Sequence, residues 1–403
     1  MCSVLQAGMA QIDITPPPGT TMGAFPVSHK PMQGRVAEGV RDPLWARALA
    51  LSDGTRVHVV CVADVLALQW PDVDLIRQEF STATGMPGEA LVVSATHNHN
   101  GPDCTYMFGG SPDDPYVCEL RRGIVEAAVS ACKAMVPAEL SVAAVSPGLS
   151  FNRRSIAPNG EFRQLGQAPG TPPSGPVDPR VTVLRIAPLS GAWCGGIIHF
   201  AAHPVILTTP NRLFTAEYPG ASIRHFGATD GIDAALFLQG ACGDTHPHQA
   251  ITNDVARVEE MGQSLADAAR DAWTQVVPLR EPALATERWS AELPHRYSED
   301  HRVRVEITAW RLSDDMAVVF WQGEPFTELS LALQWRSPFA RTLVVGYSLG
   351  WIGYVPTRNA YEFGGYGVSL YDNDPPEYSR TSVAPGTGEC LVDRAEQLLL
   401  SLR

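Results

Sequence analysis

The sequence predicts an α/β protein with a mixed β-sheet core and flanking helices, built as a single large domain over residues 1–403. Three observations predict it. Strand-like and helix-like segments alternate through the first third of the chain. The segments richest in chemistry-bearing side chains lie just beyond strand-like runs, where α/β sheets commonly place their sites. Those segments come from both halves of the chain, and no linker, internal repeat or low-complexity tract separates them.

The elements follow in order. Residues 57–63 (Val-His-Val-Val-Cys-Val-Ala) form a buried-strand pattern ending at Asp64, and 73–80 reads as a helix. Residues 90–94 make a short strand that delivers His97 and His99 at its end. Residues 116–135 are a longer helix with apolar residues at helical spacing. The stretch 146–178 is rich in Pro, Gly and Ser and reads as a long ordered loop. Two strands, 181–186 and 194–200, form a hairpin through Leu189-Ser190-Gly191. A strand at 235–238 runs into Gly240-Ala241-Cys242-Gly243-Asp244. The helix over 253–273 carries one stripe of Val255, Val258, Met261, Leu265 and Ala268. Residues 303–312 alternate like an exposed antiparallel strand, then turn at Ser313-Asp314-Asp315 into the strand 317–321. Glu324 follows at once, 343–347 is a further strand, and 390–402 a closing helix.

Composition narrows the function. A chain of 403 residues, 45 % apolar and 18 % charged, is globular and buries a large core without staples. A net charge of −13 argues against a nucleic-acid or anionic-membrane surface as partner. No uninterrupted apolar run approaches a membrane span, so no integral membrane segment is expected. The first eight residues lack the basic and apolar regions of a secretory signal. Eight cysteines are scattered at 2, 61, 104, 118, 132, 194, 242 and 390 without a C-x-x-C pair. Cys61, Cys132 and Cys194 sit in apolar runs and read as buried thiols. A reducing, cytoplasmic location is the expectation, with no disulfide framework and no thiolate metal site.

Four separated segments carry the chemistry. They are Thr96-His97-Asn98-His99-Asn100-Gly101-Pro102, His199-Phe200-Ala201-Ala202-His203-Pro204, Gly323-Glu324-Pro325-Phe326 and Gly353-Tyr354-Val355-Pro356-Thr357. Two imidazoles, a carboxylate and a phenol hold a catalytic metal while leaving a position open for water. His97 and His99 point to one side of an extended chain, so both bind one metal or one binds while the other faces substrate. Of His199 and His203, the latter, beside Pro204, is the better ligand; His199 reads equally as a core histidine satisfied by backbone. Glu324, buried after five hydrophobics, needs a cation or a hydrogen-bond network. Its alternative role is to favour the start of the helix that follows. Tyr354 and Tyr366 lie in an aromatic, Gly-rich stretch where tyrosines usually pack.

In this order the four segments resemble the neutral/alkaline ceramidases, zinc-dependent amide hydrolases. That family carries T-H-x-H-x-G-P, A-x-H-P, G-E-F or G-E-P-F, and Y-V-x-T segments in its N-terminal catalytic domain. Asp13-Ile14-Thr15-Pro16, Asp42-Pro43-Leu44-Trp45-Ala46-Arg47-Ala48, Asn152-Arg153 and Gln239-Gly240-Ala241-Cys242-Gly243-Asp244 also match, and the similarity runs from about residue 8 to the last helix. The resemblance implies one catalytic domain, with His97, His203, Glu324 and Tyr354 as Zn2+ ligands. It implies His99, Arg153 and Tyr366 facing the substrate carbonyl.

The sequence departs from the family twice. The family's G-D-V-S-P segment contains a serine with a catalytic role; here Gly243-Asp244-Thr245-His246-Pro247 puts His246 in its place. The chain also ends too early for the family's C-terminal β-sandwich domain. The expected chemistry is therefore serine-independent: a metal-activated water attacks an amide or ester carbonyl of a small N-acyl or cyclic amide substrate. Arg153 and Tyr366 stabilise the oxyanion, and His99 moves a proton because its pKa lies near operating pH. Asp244 orients a histidine, and His246 serves as a proton shuttle or an extra ligand. One alternative is a true ceramidase acting on a lipid-like amide, with Trp351, Phe363 and Tyr371 lining an apolar channel or merely packing. Another is a metal-stabilised protein that binds a ligand without turnover.

Overall fold

The computed structural model describes residues 4–29, 32–157, 162–165, 175–229, 231–369 and 383–403. Cys2 and Tyr371 lie outside the described residues. The longer strands are β1 (Gln6–Asp13), β2 (Trp45–Ser52), β3 (Val57–Ala63), β4 (Leu91–Ala95), β5 (Val136–Val145) and β6 (Val181–Pro188). They continue with β7 (Gly195–Phe200), β8 (Ala234–Gln239), β9 (Ala285–Pro294), β10 (Arg302–Arg311), β11 (Met316–Trp321) and β12 (Arg341–Val345). The longer helices are α1 (Trp70–Thr84), α2 (Pro115–Lys133), α3 (Glu217–Gly227), α4 (Val255–Trp273), α5 (Thr327–Arg336) and α6 (Thr387–Ser401).

Two mixed sheets result, as the predicted fold class requires. The larger runs β8-β7-β6-β5-β1-β2-β3-β4, with Val277–Pro278 alongside β5. Its pairs are antiparallel except at the two ends, where β7 and β8, and β3 and β4, are parallel. The smaller runs β9-β10-β11-β12 and ends in the parallel pair β11 and β12. Parallel neighbours need a crossover, and α1, α3 and α5 supply the three crossovers.

Strand alternation sorts the side chains into four layers. On β3, Val59, Cys61 and Ala63 face α1 and α2 through Ile76, Phe80, Leu120 and Ile124. Val60 and Val62 point the other way, into the inter-sheet core with Trp310, Val318 and Phe320. The α4 stripe of Val258, Met261, Leu265 and Ala268 packs with α3 on Val183, Ile198 and Phe237 of β6 to β8. Helices α5 and α6 cover the outer face of the small sheet through Leu329, Leu333, Leu391 and Leu399. The order is helices, large sheet, small sheet, helices.

The structure corrects several expectations. The 303–312 segment is an interior strand with mostly buried residues, because α6 covers one face and the large sheet the other. Strands β1, β2, β5 and β9 carry no strand signal: their Ala, Gly, Pro and charged residues are poor strand formers, and pairing with neighbours overrides that preference. The 146–178 loop contains Ser150–Asn152, paired with Thr245–Pro247, and Arg154–Ile156, paired with Phe162–Gln164. Cys61 is buried, whereas Cys132 and Cys194 are only half-buried.

The large sheet curves until its ends meet. Beyond β12 the chain bridges them: Gly346 N donates to Gln239 O of β8 (3.0 Å), Ala95 N of β4 donates to Tyr347 O (3.0 Å), and Leu349 N donates to Val93 O (2.8 Å). The carboxyl ends of β4, β7, β8 and β11 therefore open on one place.

His58 of β3 lies in the inter-sheet core, 3 % exposed, with its ring 4.9 Å from that of Trp310 and a hydrogen bond to Thr286 of β9. Burial pushes its pKa down to about 4, against a smaller opposing effect of Asp53. Between pH 6.5 and 4 the unfolded chain therefore binds the extra proton, and stability falls as pH decreases through that window. The loss at the acid end is on the order of 3 kcal/mol. Urea denaturation of His58→Met should show a shallower decline than wild type from pH 7 to pH 4. Equal slopes would remove His58 as a source of acid sensitivity.

Candidate metal centre

Each chemical side chain is delivered by a strand end. After β4, Thr96 N donates to Ala63 O (3.0 Å) and Asn98 N to Val65 O (2.9 Å). His97 between them is left-handed, with φ 63°. The sequence implies an extended chain pointing His97 and His99 together; a left-handed turn does it instead, with ring centroids 4.6 Å apart. Asn98 locks the turn, its Nδ2 donating to Asp64 O (3.1 Å) and Thr215 O (2.8 Å).

His203 follows β7, and its backbone N donates to Thr245 O (3.0 Å). His199 stays within β7 and bonds Val344 O at 2.9 Å, which makes it the backbone-satisfied core histidine of the two open readings. Glu324 follows β11 through Gly323, whose φ is 68°. A Cβ on Gly323 would stand 2.3 Å from Gly353 O, so only glycine permits this approach. Glu324 pairs with Tyr354 in a short parallel ribbon, and side chains on adjacent rungs project to the same face. No side-chain cap from Glu324 starts α5, whose N-cap is Phe326.

These side chains converge. Glu324 Oε2 lies 2.9 Å from His203 Nε2 and 3.2 Å from His97 Nε2, and His99 Nε2 lies 3.1 Å from His97 Nε2. The ligand atoms of the three histidines all fall within 4.8 Å of one another. Ligands at about 2.0–2.1 Å from a tetrahedral ion stand about 3.3 Å apart, close to these spacings. The ring tautomers sharpen the point. His97 Nδ1 faces Leu66 O (3.0 Å) and His203 Nδ1 faces Cys242 O (2.6 Å), so both protons sit on Nδ1. With Nδ1 as donor, each Nε2 presents a lone pair to a carboxylate oxygen unless it carries a second proton, so a proton or a bound cation joins them. Ligand histidines characteristically donate their second N–H to such acceptors. His99 differs: among the described residues its Nδ1 has no hydrogen-bond partner.

Charge states suit a cation. Burial would raise the Glu324 carboxyl, but His97 and His203 outweigh it and hold it well below the usual range. Burial, reinforced by Arg153, pushes His203 down to about 4. His99 is driven well below its ordinary value by burial and then by His97, His203, Arg153 and Arg35. It is a neutral acceptor, not a group titrating near operating pH. The donor set and its protonation fit a divalent ion.

Arg153 stands beside Tyr354 in the same cluster. Its Nη2 donates to Gly243 O (2.6 Å) and to Tyr354 Oη (3.2 Å), and its guanidinium lies 4.9 Å from the Tyr366 ring centroid. Burial works against its charge, yet Tyr354, Tyr366 and Glu324 keep it firmly protonated. Its Nη1 donates to His246 Nε2 (3.1 Å), so that lone pair faces the guanidinium and not the histidine cluster. Asp244 does not meet a histidine. Its Oδ1 accepts from Thr327 N (2.8 Å) and its Oδ2 from Asn152 Nδ2 (2.8 Å), tying the Arg153 ribbon to α5. The group that orients His203 is the Cys242 carbonyl.

The cluster opens into a cavity of about 270 Å³. Its polar lining comes from His97, His99, Arg153, His246, Glu324, Tyr354 and Tyr366. Phe25, Leu66, Met107, Phe108, Val205 and Trp351 supply apolar lining. Phe363 is exposed and does not line it. Arg35 was not legible as part of this region. Fully buried, it donates to His99 O (2.7 Å), Asn211 O (2.8 Å), Asn100 Oδ1 (3.1 Å), Thr208 O (3.1 Å) and Gly23 O (3.2 Å). A lone arginine between Gly34 and Val36 carries no motif that signals this role.

No family model matches the sequence. Solved structures do match the fold. A ceramidase complexed with C2 superposes with a TM-score of 0.79 at 16 % identity, over 99 % of this chain and 75 % of that one. The neutral ceramidase from Pseudomonas aeruginosa gives 0.76 at 17 % identity, over 99 % and 74 %. At these identities the likeness speaks for architecture alone, and it does so over nearly the whole length: the chain has the fold of the neutral ceramidases.

Proposed function

We propose that this protein is a zinc-dependent hydrolase of a carbon–nitrogen bond in an N-acyl or cyclic amide, with esters as secondary substrates. One observation carries the reading. Nε2 of His97, Nε2 of His203 and Oε2 of Glu324 meet in a buried cluster at a cavity that Arg153 also lines. His97, His203 and Glu324 are the proposed ligands, with Tyr354, the rung neighbour of Glu324, as the fourth. A divalent ion held there supplies Lewis-acid polarisation of the scissile carbonyl and acidifies water.

The chain's own residues do the rest. Arg153, oriented by His246, and Tyr366 meet the carbonyl oxygen as negative charge develops on it. Neutral His99, whose Nδ1 is uncommitted, accepts a proton from the attacking water and returns it to the leaving nitrogen. The C–N bond breaks, the water oxygen joins the carbonyl carbon, and with both water protons on nitrogen the products are a carboxylate and an ammonium group, on one molecule if the amide was cyclic. A second reading, a lipid-like acyl amide as substrate, is favoured by the wall of Phe25, Leu66, Met107, Phe108, Val205 and Trp351. The solved structures of similar fold are ceramidases, which supports the same substrate class.

Metal analysis with an amide panel tests the assignment: a short N-acyl amide, a lactam, an ester and a ceramide. His97→Ala and Glu324→Ala should lose both bound zinc and turnover; a variant keeping stoichiometric zinc and full turnover overturns the ligand set. His99→Ala should keep the metal while kcat falls about 10²- to 10⁴-fold. Loss of zinc in that variant would make His99 a ligand instead.

Arg153→Ala should lower kcat by about 10²- to 10³-fold. His246→Gln, which offers the guanidinium another acceptor, should stay near wild type, while His246→Leu should lose about ten-fold in kcat, the size of one charge-assisted hydrogen bond. Equal behaviour of the two His246 variants would remove the Arg153 contact from the mechanism.

A further inference from the structure

We propose that Tyr347 is a positioning residue that sets the mutual geometry of the metal-binding segments, acting through Cys242. It rests on the metal reading above and concerns residues which that reading leaves unused. Tyr347 lies two residues beyond β12, in the bridge between the ends of the large sheet. It touches the segments that carry His97 and Glu324 and the residue that orients His203. Its ring lies on the His97 ring, with centroids 4.0 Å apart and planes 30° apart. Its backbone O accepts from Ala95 N (3.0 Å), two residues before His97. Its backbone N donates to Gly323 O (2.9 Å), one residue before Glu324. Its hydroxyl shares a 3.0 Å hydrogen bond with Cys242 Sγ.

Cys242 completes the circuit. Its sulfur accepts from Gln239 Nε2 (3.1 Å), which fixes the side chain, and its carbonyl takes the His203 Nδ1 proton (2.6 Å). One phenol thus links the ring of one ligand, the peptide before a second and the residue that orients a third. The backbone conformation points the same way. Tyr347 is left-handed, with φ 55°, a strained state for a bulky residue that persists only where surroundings over-determine it. A ring held flat under His97 also fixes the rotation that the Leu66 carbonyl alone leaves free about the Nδ1–O axis.

Cobalt(II) titration of wild type, Tyr347→Phe, Tyr347→Leu and Cys242→Ala tests this, with the cobalt d–d spectrum as a readout of ligand geometry. Tyr347→Leu should bind cobalt about 10- to 100-fold more weakly, the range for residues that orient ligands, with a changed spectrum. Tyr347→Phe and Cys242→Ala each remove the shared hydrogen bond and should weaken binding about three- to ten-fold. The double variant should be no weaker than either single one, because both act through one contact. Wild-type affinity and spectrum in folded Tyr347→Leu overturn the proposal. If that variant does not fold, additive losses in the Phe/Ala pair, or none, overturn it. Wild type that binds no cobalt overturns the metal reading and this one together, whereas cobalt-competent wild type with indifferent variants overturns this one alone.

Discussion

Two imidazole lone pairs and a carboxylate oxygen share a buried space only if something positive joins them. Glu324 Oε2, within 3.2 Å of His97 and His203, is the centre of that constraint. Much of the surrounding structure makes the arrangement tolerable. Backbone carbonyls of Leu66 and Cys242 take the Nδ1 protons, so neither imidazole can relieve the contact by flipping its tautomer. Gly243 O, Tyr354 and His246 engage both terminal nitrogens of Arg153.

The architecture explains how groups so far apart in sequence come to share one corner. Parallel strand pairs put two carboxyl ends side by side, and the two main sheets contain three such pairs among the described residues. Antiparallel pairing through β6, β5, β1 and β2 connects two of them and lets the sheet curve until they face each other. The third pair, in the smaller sheet, brings Glu324 and then the bridge. The same four-layer plan appears in solved ceramidases at under one-fifth identity, so it tolerates nearly complete replacement of the residues that fill it.

Much of this was legible in the sequence because the chemistry is carried by rare residues at conspicuous places. A histidine pair before Gly-Pro, His203 before Pro204 and a glutamate after a hydrophobic run each advertise a strand end. The strands that spell themselves in β-branched residues, β3 and β6 among them, were equally legible. Strands such as β2, Trp-Ala-Arg-Ala-Leu-Ala-Leu-Ser, were not, because their residues suit a helix and only neighbours on both sides decide otherwise. Within the site, the legible part stops at the ligand-like groups. Asp244 looked like a partner for histidine because carboxylates often are, yet it spends both oxygens on Thr327 and Asn152. Arg35 and Tyr347 belong to no motif, and Cys242 sits in a matched segment without a ligand-like signal of its own; their importance lies in which atoms they reach, and that is a property of the folded chain.

The meeting of β4 and β8 across residues 345–349 has a further consequence. Those two ends are far apart in the order of the sheet and are held by a few peptide hydrogen bonds, not by a continuous ladder. Any ion gripped by His97, His203 and Glu324 is a rivet through that seam. Occupancy of the centre would then be linked to closure of the seam. Amide exchange along the seam would follow the ion, while the layers behind it kept still.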